Sequence, residues 1–223
     1  MAIGLVPKTI VCFAVKEEAA AFEQLASSPS VSVILTGIGQ RNAQRTVGEA
    51  LVKGKPKLLL TCGFAGSLRT DWESGTVVFE AEPGSDLEGA LLAAGAVRGR
   101  FHCAQKVATT TREKRLLRDK TGMDAVEMES QIIRALAREH GIPSATIRVI
   151  LDTADQDLPL DFNLLMNRND KIDAGKLTLA LLKAPNKIGR LLALQKQSRS
   201  AAEKLARVLA AITLGQSNDK ARA

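Results

Sequence analysis

Short apolar runs alternate along this chain with longer stretches of helical period, and that alternation predicts its architecture. Thr9 to Val15, Val31 to Leu35 and Leu58 to Thr61 are rich in β-branched residues and leucine and read as buried strands. Between them, Glu17 to Leu25 and Gly39 to Val52 carry apolar residues at helical spacing, the second opening from a Gly-Ile-Gly turn. Thr76 to Glu80 and Cys103 to Thr109 continue the β pattern, and a helix is expected near Arg112 to Lys120. Val126–Glu127–Met128–Glu129 leads into another helix, whose Ile132, Ile133 and Leu136 recur at helical spacing before His140–Gly141–Ile142–Pro143 stops it. Ala145 to Leu151 is a further buried, parallel strand. The expectation is a single α/β domain over residues 1–214, with a central mixed β-sheet flanked by helices. Residues 155–175 mix Pro, Asn and Asp with apolar residues and predict a loop-rich crossing into C-terminal helices at about 185–214. Residues 215–223 are expected to be a disordered tail.

Composition narrows the class without naming a chemistry. A chain of 223 residues, 45% apolar and 25% charged, is an ordinary globular mixture with a substantial core. No secretory signal is recognised, and no segment approaches the roughly 18 apolar residues of a membrane span. Cys12, Cys62 and Cys103 lack metal-ligand spacing and fit reduced cytosolic thiols, so a cytoplasmic protein with no bound metal is expected. The net charge of +7 lies wholly in the tail: residues 1–182 carry 22 basic and 22 acidic residues, residues 183–223 nine and two. There Leu205, Val208, Leu209 and Ile212 form an apolar stripe, with Lys196, Arg199, Lys204 and Arg207 interspersed. Such a basic amphipathic helix either packs on its own domain or touches anionic lipid, which makes residues 187–212 a candidate peripheral membrane contact at the inner face. Nucleic-acid binding is disfavoured, because the chain has no Tyr, one Trp and no interleaved aromatic and basic pattern.

Two carboxylates stand out by position. Asp152 falls where the Ala145–Leu151 strand leaves the sheet, and strand C-termini are where open α/β sheets bind ligands. Glu129 precedes the neighbouring helix, so both can face one pocket. Each also has a purely structural account, Asp152 as a turn former or N-cap and Glu129 as a complement to the helix dipole. Thr36–Gly37–Ile38–Gly39–Gln40 and Gly63–Phe64–Ala65–Gly66 read as loops after strands, where small residues let backbone amides approach a ligand. Neither is a Walker A loop, and Asn42 breaks the first as a dinucleotide fingerprint.

In sequence order, Ala14–Val15–Lys16–Glu17–Glu18, Thr36–Gly37–Ile38–Gly39, Cys62–Gly63–Phe64–Ala65–Gly66, Ala125–Val126–Glu127–Met128–Glu129 and Asp152–Thr153–Ala154–Asp155 resemble the methylthioadenosine/S-adenosylhomocysteine nucleosidases of the nucleoside phosphorylase superfamily. The stretch from Met166 to Asp173 and the basic helices beyond resemble the hopanoid-associated branch, thought to remove adenine from adenosylhopane. The resemblance implies a three-layer fold, a homodimer, no cofactor, and cleavage of a purine N-glycosidic bond in which a leaving base needs a proton. It assigns Asp152 as the acid that protonates N7, Glu129 as the ribose acceptor with Met128 beneath the sugar, and Glu18 as the group activating water. Gly63 and Phe64, and backbone near Val107, Thr109 and Thr110, are implied to line the substrate.

The phosphate-binding residues of the superfamily's phosphorylases are replaced here by Thr61, Phe64 and the Lys16–Glu17–Glu18 segment. A dianion beside Glu18 without a guanidinium is unfavourable, so water is the expected nucleophile. Lys16 and Arg41 are the residues that could still bring positive charge, which leaves phosphorolysis as the alternative. A protein that binds nucleosides or membrane surfaces without catalysis is the second alternative. Leu151 and Phe64 stand where the nucleosidases usually have Ser, which makes the expected pocket more apolar, and few aromatics with a shortened base loop leave it open toward the 5′ substituent, which suits a bulky or lipid-like group.

Overall fold

Alternation within β1 (Thr9–Phe13) decides which side of the sheet each helix covers. Ile10 and Cys12 face one side, where they pack with Ala43, Val47 and Leu51 of α2 (Gln40–Lys53) and Ile133 and Ala137 of α5 (Ser130–Glu139). Val11 and Phe13 face the other, in the main core with Phe22 of α1 (Lys16–Leu25), Leu91 of α3 (Asp86–Ala93) and Leu205 and Leu209 of α8 (Ile188–Asn218). Helix, sheet and helix thus form three layers in one α/β domain. The computed structural model describes residues 8–26, 28–167 and 173–218, with side chains to Thr213.

The sheet is mixed, as expected. Its main path runs β2 (Val31–Leu35), β1, β3 (Leu58–Ser67), β8 (Ser144–Asp152), β4 (Val77–Glu80) and β5 (Val97–Arg98). The first four are mutually parallel, and β4 runs antiparallel to β8. Off this path, β7 (Ala125–Glu127) pairs antiparallel with the end of β3 and parallel with β6 (Phe101–Cys103). The C-terminal ends of β1, β3 and β8 therefore lie side by side.

Several boundaries differ from expectation for local reasons. Gly63–Phe64–Ala65–Gly66 is not a loop: β3 continues through it to Ser67, paired with β8. The register passes from Ala65↔Ile150 to Gly66↔Asp152, so Leu151 has no partner on β3. β6 ends at Cys103, and residues 104–109 leave the sheet for the N-terminus of α4 (Thr111–Thr121). The loop-rich crossing holds one short helix, α6 (Phe162–Leu165), and the C-terminal helices begin earlier than expected, with α7 (Ala174–Lys183). Part of the Met166–Asp173 motif, residues 168–172, lies outside the described residues. α8 continues as helix through Asn218, so residues 215–218 are not the expected tail, and residues 219–223 lie outside the described part.

The stripe on α8 has an internal use. Leu205, Val208, Leu209 and Ile212 are all buried against the main core, so this face cannot meet a membrane. At roughly 1.5–3 kcal/mol for each large aliphatic side chain removed from water, the helix is integral to the domain. No helix among the described residues is long and apolar enough to cross a membrane.

Candidate active site

At the C-terminal ends of β1, β3 and β8 the sheet opens into a cavity of about 250 Å³. Of the residues singled out from sequence, Glu18, Phe64, Val107, Met128, Glu129 and Asp152 line it together; Gly63, Thr109 and Thr110 do not. A larger groove of about 720 Å³ opens at the opposite end of the sheet, at the starts of β1, β3 and β8. It shares none of those residues and sits at the strand ends where open α/β sheets do not hold ligands.

Glu18 is placed by the first turn of α1. Its carboxylate accepts the N–H groups of Ala14 (2.9 Å) and Val15 (3.3 Å), capping the helix, and that of Phe64 (2.8 Å) from β3. Burial pushes its pKa above the ordinary carboxylate range, against the opposing pull of Arg148 and those three N–H donors. Gly63 explains the close approach. A Cβ there would stand 2.5 Å from Glu18 Oε1 and 2.7 Å from Arg148 Nη1, and the backbone holds φ at +142°.

Arg148 was not visible as a site residue in the sequence, yet it organises the cavity floor. It is 1% exposed, in the middle of β8, and its Nη2 donates to Glu127 Oε2 (2.7 Å), Glu129 Oε2 (3.2 Å) and Thr61 Oγ1 (3.3 Å). Glu127 is pinned in turn, accepting the N–H groups of Glu129 (2.9 Å) and Ser130 (2.8 Å) at the start of α5. Glu129 also accepts the N–H of Gly39 at 2.9 Å. Burial and the neighbouring Glu127 raise the Glu129 pKa to about 7, with Arg148 opposing. One guanidinium thus serves three carboxylates, Glu18, Glu127 and Glu129. The guanidinium expected to be missing beside Glu18 is present, but it is already engaged by Glu127 and Glu129. Lys16 and Arg41 are exposed and line no part of the cavity.

Asp152 ends β8 beside Gly66, whose Cα leaves room for it: a Cβ there would be 3.0 Å from Asp152 Oδ2. Its partner is Lys114 of α4, fully buried, with Nζ 2.5 Å from Oδ2. Burial pushes the Asp152 pKa up, and Lys114 opposes that rise.

The expected base-lining segment is occupied differently. Thr110 caps α4, its side chain accepting from the N–H of Glu113 at 3.2 Å, while Glu113 Oε2 accepts the N–H of Thr109 at 2.7 Å and that of Thr110 at 3.0 Å. Both threonines serve the helix end, not the cavity wall. Val107 does line the cavity, but its N–H donates to Asn163 Oδ1 (2.9 Å) and its carbonyl accepts from Asn163 Nδ2 (3.0 Å). Apart from Lys106, the remaining wall is largely apolar, with Phe64, Leu151, Leu158, Phe162 and Leu194.

The missed residues left unequal signals. A lone Arg inside Ala145–Leu151 was a charge in an apolar run, which burial obliges to find acid partners. Lys114, in Arg-Glu-Lys-Arg-Leu-Leu-Arg, is indistinguishable in sequence from its solvated neighbours.

The sequence profile of the phosphorylase superfamily matches residues 12–80 and 85–183. Among solved structures, the chain is similar to futalosine hydrolase of Helicobacter pylori, with 16% identity and a TM-score of 0.64 over 92% of this chain and 98% of that one. It is similar to the methylthioadenosine/S-adenosylhomocysteine nucleosidase of Campylobacter jejuni, with 14% identity, TM-score 0.67 and coverage of 92% and 98%. The Neisseria meningitidis nucleosidase in complex with methylthio-immucillin-A gives 18%, 0.65, 93% and 99%. At such identities the likeness establishes the shared fold. No curated protein sequence matches.

Proposed function

This chain belongs to the phosphorylase superfamily, and we propose from that premise that it hydrolyses the N-glycosidic bond of an adenosine-type purine nucleoside. The observation that carries this reading is one cavity walled by Glu18, Met128, Glu129 and Asp152 together. In it, water attacks C1′ and gives its proton to Glu18, the C1′–N9 bond breaks, and the leaving purine takes a proton at N7 from Asp152. Raised carboxyl pKa values suit both transfers, since a base and an acid work best near the ambient pH. Glu129, with lone pairs beyond those given to Gly39 and Arg148, accepts from the ribose hydroxyls.

Charge favours water over phosphate. The one guanidinium is already engaged by Glu127 and Glu129 and is not free to hold a dianion, while the carboxyl groups around it, where ionised, stabilise the positive, oxocarbenium-like sugar of the transition state. The apolar wall of Phe64, Leu151, Leu158, Phe162 and Leu194 supports a bulky apolar 5′ substituent, with adenosylhopane as preferred substrate. Membrane contact, deprived of the α8 stripe, falls in this reading to exposed Leu179, Leu182, Ile188 and Leu192, in a stretch (174–202) with six basic and no acidic residues. A homodimer belongs to the same proposal, and gel filtration tests it.

Purine release decides the matter. The chain is incubated with methylthioadenosine, S-adenosylhomocysteine, futalosine and adenosylhopane, with and without phosphate; free purine from at least one, unchanged by phosphate, is expected. Strict phosphate dependence with a sugar-1-phosphate product would mean phosphorolysis. Tight binding without turnover would mean a non-catalytic protein. Asp152→Asn should lower kcat on the cleaved substrate by about 10²–10⁴-fold.

A further inference from the structure

We propose that Lys114 is a positioning residue that sets how readily Asp152 gives up its proton, and so fixes the upper pH limit of the reaction. This rests on Asp152 being the acid, as proposed above. α4 reads Thr-Arg-Glu-Lys-Arg-Leu-Leu-Arg-Asp-Lys-Thr, a helix whose other basic residues reach solvent, while Lys114 alone is fully buried. Burying a lysine is costly unless every proton is received. Here the count is complete: Nζ contacts Asp152 Oδ2 at 2.5 Å and donates to the carbonyls of Thr153 (2.6 Å) and Gln156 (2.7 Å). Three acceptors and no donor surround it, which is the environment of an ammonium.

The two carbonyls belong to the segment that leaves β8 just after Asp152, so the ammonium is clamped on the acid's own backbone. It engages Oδ2 and leaves Oδ1 to carry the exchangeable proton. When that proton passes to N7, Asp152 becomes a buried carboxylate. Lys114 then completes an ion pair that did not exist in the protonated state, and the transfer is favoured by that difference.

Other charges around the pair are accounted for. Asp155 pairs with Arg115 at 3.4 Å, Asp157 accepts the Thr111 N–H at 2.6 Å, and Arg190 donates to the Asp157 carbonyl at 3.2 Å. Glu113 is engaged by the N–H groups of Thr109 and Thr110. Lys106 stands on the cavity wall, and Glu18, Glu127 and Glu129 are grouped around Arg148. Of these groups, only Lys114 contacts the Asp152 carboxyl.

Without the ammonium, Asp152 holds its proton to higher pH, so the alkaline fall of kcat should move up by about one pH unit or more. The plateau should drop, because the carboxylate left after transfer is no longer paired. Lys114→Met is measured first; Lys114→Gln, which keeps a donor toward Thr153 and Gln156, serves if the methionine variant does not fold. A residue that only tethers α4 would lower kcat and stability and leave the alkaline limb in place, and that result overturns the proposal. Carbon-13 NMR of the aspartate carboxyls, with Asp152→Asn for assignment, gives a second reading that needs no turnover. Asp152 should titrate at higher pH in the variant than in the parent. If the parent cleaves no nucleoside yet this titration moves, the functional reading fails and the coupling stands; if the titration does not move, the coupling fails by itself.

Discussion

Replacing Arg148 with methionine removes the one positive charge on the cavity floor while keeping most of the buried volume. Its guanidinium lies 2.7 Å from Glu127 and 3.2 Å from Glu129, all three side chains buried. At an effective dielectric near 20, a unit-charge pair about 4 Å apart is worth roughly 4 kcal/mol. Removing one member of a buried pair costs about 3–5 kcal/mol, because the partner is left uncompensated. With a urea slope of about 2 kcal/mol/M, the midpoint should fall by about 1.5–2.5 M near pH 8. The pH dependence is more diagnostic. Glu129 already has its pKa raised to about 7 by burial, so its ionisation destabilises the fold as pH rises from the ordinary carboxylate range through 7. In Arg148→Met that folded-state pKa rises further, and the variant's deficit should be largest at alkaline pH and shrink toward pH 5, where Glu129 is protonated. Urea melts followed by circular dichroism at the two pH values provide the measurement. A deficit below about 1 kcal/mol near pH 8, or one equal at both pH values, would refute the reasoning.

Gly63→Ala forces a Cβ against Glu18 and Arg148 at a positive φ, and should cost about 1–3 kcal/mol of stability and on the order of 10²-fold in kcat, checked by melting and purine release. Leu205→Ala in α8 empties a fully buried position and should destabilise by about 2–5 kcal/mol in the same urea assay; a loss under about 1 kcal/mol would mean the helix is peripheral. The full chain should co-sediment with phosphatidylserine vesicles at low salt and less so at high salt, and Leu182→Asp with Leu192→Asp should abolish it; equal sedimentation of parent and double variant removes that surface from consideration.

What the sequence disclosed divides along physical lines. Apolar periodicity located β1, β2, α1, α2, α5 and β8, because each buries a face and a buried face repeats. Glycine misled at Gly63–Gly66. Read as a breaker, it marks a continuous strand whose missing side chains make room for Glu18 and Asp152, and space reserved for a distant residue leaves no local pattern. Glu129 and Asp152 stand out by their place at a helix start and a strand end, Glu18 only through motif resemblance, and the three meet in one cavity. Arg148 and Lys114 were not found, since what sets them apart is their partners, Glu127 and Glu129 for one and Asp152 for the other, many residues away. Thr109 and Thr110 show the converse: near the right place, but engaged in capping α4.

The packing of α1 against α8 bears on how the molecule is made. Phe22 is synthesised among the first elements and Leu205 and Leu209 among the last, yet they share one core. On the ribosome, the emerging sheet must wait with its α1 face bare until α8 has left the tunnel, because contacts so distant along the chain close late. Cells that make this protein should therefore depend on chaperones that shield nascent apolar surface, and a stalled ribosome should yield a species that is bound and degraded, not a smaller folded domain.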